Sequence, residues 1–283
     1  MLPVPDARVL GALKAVYEAI RTSDGEDPST KPDLGFDPHF FEQVTPLLDF
    51  LWERYFRVRL SGLENLPDSG PALMVSNHSG GLPYDGMMLA YGVRKLHPQH
   101  RLPRPLVANF AFRSRVMRPV VARFGGVRAS MENATRLLEE GQVVSVFPEG
   151  LRGVGKLYRE RYRLTRFGRG GFVRLAAAAG VPIIPTAIVG AEEIHPVIGK
   201  LTAPARWLGL PYIPITPTFP FLGPLGLLPL PTKWHIQVGK PIVAPTMALD
   251  DTSAVLEAAE QVRGQVDTMI AEMLLERRSI FFG

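Results

Sequence analysis

A chain of 283 residues, 46% hydrophobic and 21% charged, can bury a sizeable core in one large domain, which excludes wholesale disorder. It contains no cysteine, so disulfide scaffolds, thiolate metal sites and cysteine nucleophiles are excluded together. The net charge of +5 hides a concentration: residues 94–174 hold 18 Arg and Lys against 5 Asp and Glu, and 25 of the 32 basic residues are Arg. Such an excess points to an anionic partner (a phosphorylated small molecule, an anionic lipid or nucleic acid), and Arg favours forked contacts to phosphate or carboxylate oxygens.

Residues 6–21 predict an amphipathic helix, with Val9, Leu10, Leu13, Val16, Tyr17 and Ile20 at helical spacing. The polar stretch 22–39, rich in Pro and Gly, reads as a linker. A second helix is expected over 40–57, interrupted at Pro46, its aromatic residues either core or at a lipid interface, with core the default. From residue 58 onward strands and helices alternate. Strands are expected at 72–76, 106–109, 142–147, 183–189 and 234–238, and helices at 86–96, 113–124, 131–140, 171–179 and 252–278. Residues 207–231 are almost wholly apolar yet contain seven prolines, so they form either a loop wrapped over the core or an apolar lip open to lipid. The lip is the preferred reading. The pattern predicts an α/β fold: a mixed, mostly parallel sheet flanked by helices, with an N-terminal helical segment at 1–57 and an α/β domain at 58–283. No proline-free apolar run reaches the roughly 18 residues that a spanning helix needs, and no signal peptide is read at the N-terminus.

Two stretches carry candidate chemistry, each directly after a strand, where ligands of α/β sheets usually sit. In the first, residues 76–86, His78 can act as a general base and Asp85 can fix its tautomer. Gly80, Gly81 and Pro83 rule out regular helix between them, so a turn must join the pair. In the second, residues 146–152, Glu149 offers an acceptor and Arg152 a forked donor. Gly150 and the Gly155-Lys156 pair nearly complete a phosphate-binding loop, but Leu157 stands where Ser or Thr is needed. Ser79 lacks the Gly-x-Ser-x-Gly elbow of serine hydrolases, because position 77 is Asn. Six scattered His without Cys supply no metal ligand set, and a nucleic-acid reading rests on charge alone.

The order of these motifs resembles the glycerolipid acyltransferase family, which includes lysophosphatidic acid acyltransferases and a mono- and diacylglycerol acyltransferase-like branch. The resemblance is carried by Asn77-His78 with Asp85, then Gly125-Gly126-Val127 with Arg128, then Phe147, Glu149, Gly150 and Arg152, then Val181 to Pro185, and spans roughly residues 58–245. Two departures stand out. Six residues rather than four separate His78 from Asp85, as in the neutral-lipid branch. The family's phosphate-contacting Arg is replaced by Met131, three residues after Arg128.

The resemblance implies an O-acyltransferase that moves a fatty acyl group from acyl-CoA or acyl carrier protein to a glycerolipid hydroxyl, such as that of lysophosphatidic acid. His78 would remove the acceptor's proton and Asp85 would orient His78. Arg128, Phe147, Glu149, Gly150 and Arg152 would hold the acceptor. Neither a metal nor another cofactor is implied, since the thioester is a co-substrate. The alternatives are a neutral-lipid acyltransferase acting on mono- or diacylglycerol or another alcohol, a thioester or lipid hydrolase, and a non-catalytic anionic-lipid-binding protein. The expected partners are the thioester donor, the lipid acceptor and an anionic membrane surface, with peripheral binding at the cytoplasmic face.

Overall fold

The computed structural model describes residues 4–23, 25–79, 84–203, 205, 212–244 and 251–283. Helix α1 (Ala7–Arg21) starts where the Asp6 carboxylate accepts the Arg8 and Val9 N–H groups, satisfying donors that a helix end leaves unpaired. Only part of its apolar stripe is inside: Val9, Ala12 and Ala19 are buried, whereas Leu10, Leu13 and Tyr17 are exposed. The expected linker contains two short 3₁₀ turns (Pro28–Thr30 and Pro32–Gly35) and is fastened to the sheet. The buried Arg104 guanidinium donates to the Asp33 carboxylate (2.6 Å), the Asp33 carbonyl (2.9 Å) and the Gly125 carbonyl (2.8 Å). Helix α2 (Pro38–Asp49) runs into a π-helical turn, Phe50–Tyr55, with Pro46 tolerated inside it. Phe40, Phe41, Val44, Leu48, Trp52 and Phe56 are buried, so these aromatics are core and not a lipid contact.

The main sheet has seven strands in the order β1-β9-β6-β2-β5-β3-β4. These are β1 (Arg59–Ser61), β2 (Ala72–Ser76), β3 (Arg104–Val107), β4 (Val127–Arg128), β5 (Val143–Val146), β6 (Ile183–Val189) and β9 (His235–Val238). Every neighbouring pair is parallel except β6 with β9, so the sheet is mixed and mostly parallel, as expected. The helices between are α3 (Tyr84–Leu96), α4 (Asn109–Arg113), α5 (Met117–Arg123), α6 (Met131–Glu139), α7 (Leu151–Val154) and α8 (Gly171–Ala179), with α9 (Thr252–Glu276) last. The helix expected over 113–124 is α5, which starts only at Met117, because Ser114 is extended and ends the separate short α4. Strands β1 and β4, at the two sheet edges, are too short to show a period and were not expected.

Side chains alternate between two cores. On β2, Leu73 and Val75 join the core beneath α6, α8 and α9, while Ala72 and Met74 join the core beneath α2 and α3. Burial on both faces is what a parallel sheet requires. In α3, Gly92 lets Trp52 close in, since a Cβ there would lie 2.2 Å from the indole.

A small antiparallel pair, β7 (Gly199–Leu201) with β8 (Ile213–Ile215), precedes the described end of the proline-rich stretch. Residues 207–211 of that stretch lie outside the described residues. Beyond β8, Phe221 (82%), Leu222, Leu225 (69%) and Leu228 are exposed, so this part is an apolar lip. Among the described residues, no helix is long and apolar enough to cross a membrane.

Candidate active site

Because β2, β5, β3 and β4 run in one direction, their carboxyl ends open at one side of the sheet. Both sequence motifs emerge there. The β2–β6 ladder ends at Ser76 opposite Thr186, and the buried Asn77 side chain extends it. It donates to the Ile188 carbonyl (2.9 Å) and accepts the Ile188 N–H (2.8 Å), so both halves of the amide are satisfied. The next residue, His78, is thereby presented just past a fixed strand end.

The His78 ring meets Asp85, in the first turn of α3, with Nδ1 2.6 Å from Oδ2. Asp85 is fully buried and also accepts the N–H groups of Ser79 and Gly86, each at 2.8 Å. Burial alone would raise its pKa, but the His78 charge and these hydrogen bonds outweigh it and hold the carboxyl below its ordinary value. An ionised Asp85 can only accept, so Nδ1 is the donor of this bond, and in the neutral imidazole that tautomer leaves the lone pair on Nε2. The His78 side chain is 15% exposed. The turn expected through Gly80, Gly81 and Pro83 lies outside the described residues.

Phe147, directly after β5, packs against the His78 ring with centroids 4.7 Å apart and planes tilted by 33°. Gly150 turns the chain with φ 54° and ψ −141°, a backbone that side chains with a Cβ rarely adopt, and its N–H donates to the Phe147 carbonyl (2.9 Å). Glu149 is enclosed. Its Oε1 accepts the His78 backbone N–H (3.0 Å), and its Oε2 accepts the N–H (2.8 Å) and hydroxyl (3.0 Å) of Thr165. Glu149, expected to help hold an acceptor, has both carboxylate oxygens engaged by the protein's own chain and a side chain with no exposed surface. Arg152, in α7, is exposed and makes no side-chain hydrogen bond or ion pair with a described residue.

Arg128 stands apart, on β4, with β3 between it and β5. Its guanidinium pairs with Asp27 (2.9 Å) and lies over the Phe112 ring (5.7 Å). Met131, at the position where the family resemblance expects an arginine, is 52% exposed. The structure thus joins His78, Asp85, Phe147 and Glu149 in one cluster and leaves Arg128 outside it.

Three members of the cluster were missed as site residues. Lys156, noted only for a phosphate loop, is buried, with Nζ 3.3 Å from Glu149 and 2.9 Å from Glu192. That placement removes the phosphate-loop reading. Glu192 follows β6 and could have been found by the same strand-end rule that found His78. Thr165 carries no sequence signal of its own.

A family model described as Acyltransferase matches residues 57–189. A Mycobacterium tuberculosis protein described as uncharacterized is 46% identical over 255 residues, covering 89% of this chain and 71% of that protein. The Bos taurus protein named "DGAT1/2-independent enzyme synthesizing storage lipids" is 26% identical over 221 residues, 78% of this chain and 60% of its own. The crystal structure of the 1-acyl-sn-glycerophosphate acyltransferase PlsC from Thermotoga maritima matches with a TM-score of 0.55 at 16% identity. It covers 96% of this chain and 91% of its own, a likeness of fold. Motif order, sheet topology and these matches agree: the chain belongs to the Acyltransferase family.

Proposed function

We propose that this protein transfers a fatty acyl group from a thioester donor, acyl-CoA or acyl carrier protein, directly to a lipid hydroxyl. The observation that carries the reading is the 2.6 Å His78–Asp85 pair at the strand ends. His78 Nε2 takes the proton of the acceptor hydroxyl as its oxygen attacks the thioester carbonyl. Asp85 fixes the ring and stabilises the imidazolium that forms. The tetrahedral intermediate collapses, the carbon–sulfur bond breaks, and the proton returns from His78 to the leaving thiolate. No covalent acyl-enzyme is needed.

The acceptor's charge turns on two positions. Arg128 is already paired with Asp27, and Met131 offers no charge to a phosphate. Both favour an uncharged glycerolipid or other lipid alcohol over lysophosphatidic acid, in keeping with the storage-lipid name of the Bos taurus relative. Arg152, exposed on α7 next to Gly153, offers a cation to a phosphorylated acceptor and supports the second reading. The test is thiol release from acyl-CoA with a panel of acceptors, with products read by mass spectrometry. Release that depends on monoacylglycerol, diacylglycerol or a long-chain alcohol is expected. Faster turnover of lysophosphatidic acid would reverse the choice of acceptor, and acceptor-independent release would make the protein a hydrolase.

The lip supports peripheral membrane binding. Its Leu227 carbonyl lies 2.9 Å from His195 Nε2, and the His195 ring lies 6.2 Å from that of Tyr84, the neighbour of Asp85, so the lip is anchored on the site's side of the sheet. Exposed Arg113, Arg115, Arg159 and Arg163 add charge that attracts anionic lipid. Binding is expected to be stronger to vesicles containing phosphatidylserine than to phosphatidylcholine alone, with the difference shrinking in high salt. Changing Phe221 and Leu225 together to Ser should weaken binding to both vesicle types without changing the melting temperature, because both side chains are already in water. Unchanged sedimentation with vesicles would show that the lip is not the contact.

A further inference from the structure

Lys156 is out of place as an ordinary surface lysine. Its side chain is only 6% exposed, and a buried ammonium is costly unless it is paired. Here it lies between two carboxylates that are themselves buried, Glu149 and Glu192. Glu192 is anchored on its other oxygen by the Tyr162 N–H (3.0 Å). Glu149 is anchored by Thr165 and, through Oε1, by the His78 backbone N–H.

His78 is thus held at two points. Asp85 fixes its ring, and Glu149 fixes its backbone where the chain leaves β2. The structure assigns Lys156 the part of a positioning residue for His78: its ammonium pairs with Glu149 and keeps that carboxylate in place, and Glu149 in turn holds the His78 backbone. This rests on the reading of His78 as the base.

The physical reason is the enclosed setting of Glu149. Without a counter-charge, a buried carboxylate takes up a proton or moves toward solvent, and either change weakens its hold on the His78 N–H. Glu192, which shares the same ammonium, illustrates the pressure: burial raises its pKa even though Lys156 opposes the shift. The ring-to-hydroxyl geometry of the base would then loosen, an effect on turnover rather than on substrate affinity.

The experiment compares wild type, Lys156→Met, Lys156→Arg and His78→Ala in steady-state transfer, with rates normalised to the folded fraction from circular dichroism. Because displacing a catalytic group by about 1 Å can cost up to about 10²-fold, Lys156→Met should lower kcat by about 10-fold or more. KM for donor and acceptor should stay within about twofold of wild type, since Lys156 touches neither. Lys156→Arg, which keeps the charge, should recover most of the rate. If Lys156→Met does not fold, the double variant Lys156→Met/Glu192→Gln removes one charge of each sign and is read in the same way. A wild-type kcat in the folded protein, or a loss confined to KM, overturns the assignment. Full turnover by His78→Ala overturns the reading of the site itself, whereas an inactive His78→Ala beside a normal Lys156→Met refutes only the role of Lys156.

Discussion

His78→Ala is expected to abolish acyl transfer while the protein still folds, with some loss of melting temperature because the buried Asp85 loses its imidazole partner. The side chain lies in a loop after β2 and contributes little to either core, and the Glu149 bond to its backbone N–H does not depend on the imidazole. Asp85→Asn should cost about 10² to 10⁴-fold in kcat, the range expected when a positioned general base is lost or misdirected. The asparagine amide can donate where the carboxylate accepts, which disfavours the tautomer that leaves Nε2 free. Because Asp85 is fully buried and accepts two backbone N–H groups, this variant should also lose some stability. Both rates can be followed as thiol released from acyl-CoA in the presence of a lipid alcohol. Near-normal turnover by His78→Ala would remove the proposed mechanism altogether.

Gly153→Ala is the second large effect expected. A Cβ at this position in α7 would lie 2.7 Å from Glu149 Cβ and 2.9 Å from His78 Cβ, both closer than real side chains approach. Neither neighbour is the free end of a flexible chain: one is locked by Thr165 and Lys156, the other by Asp85. One added methyl group therefore has to move His78, Glu149 or the whole short helix. A loss of about 10²-fold in kcat is expected, by the logic that misplacing a catalytic group by about 1 Å costs that much. Melting by circular dichroism must accompany the rate. A folded Gly153→Ala with wild-type kcat would show that α7 yields and that His78 needs no such fixed support.

Local patterns were legible because they are written in consecutive residues. The buried strands 72–76 and 183–189 and the helix 171–179 occur where their apolar runs and flanking glycines indicate. The same holds for His78 with Asp85 and for Glu149 after β5, since each is set by its distance from a strand end. Strand β3 was placed two residues late, because 104–109 holds too few apolar residues to fix an edge, and Asn109 instead opens α4.

What each charge faces was decided only by the tertiary structure. Arg104 and Arg152 look alike in the basic stretch, yet one is a buried clamp on Asp33 and the other is open to solvent. Phe41 and Phe221 are equally apolar in sequence, but the first packs between α2 and α3 and the second stands on the lip. Lys156 resembled a phosphate-loop lysine until Glu192, 36 positions away, came within hydrogen-bonding distance. Asn77 finds Ile188 across 111 positions. Periodicity and spacing report the conformation of neighbours along the chain. Burial and charge pairing depend on which distant segments the sheet order brings together, and that order is a property of the folded molecule as a whole.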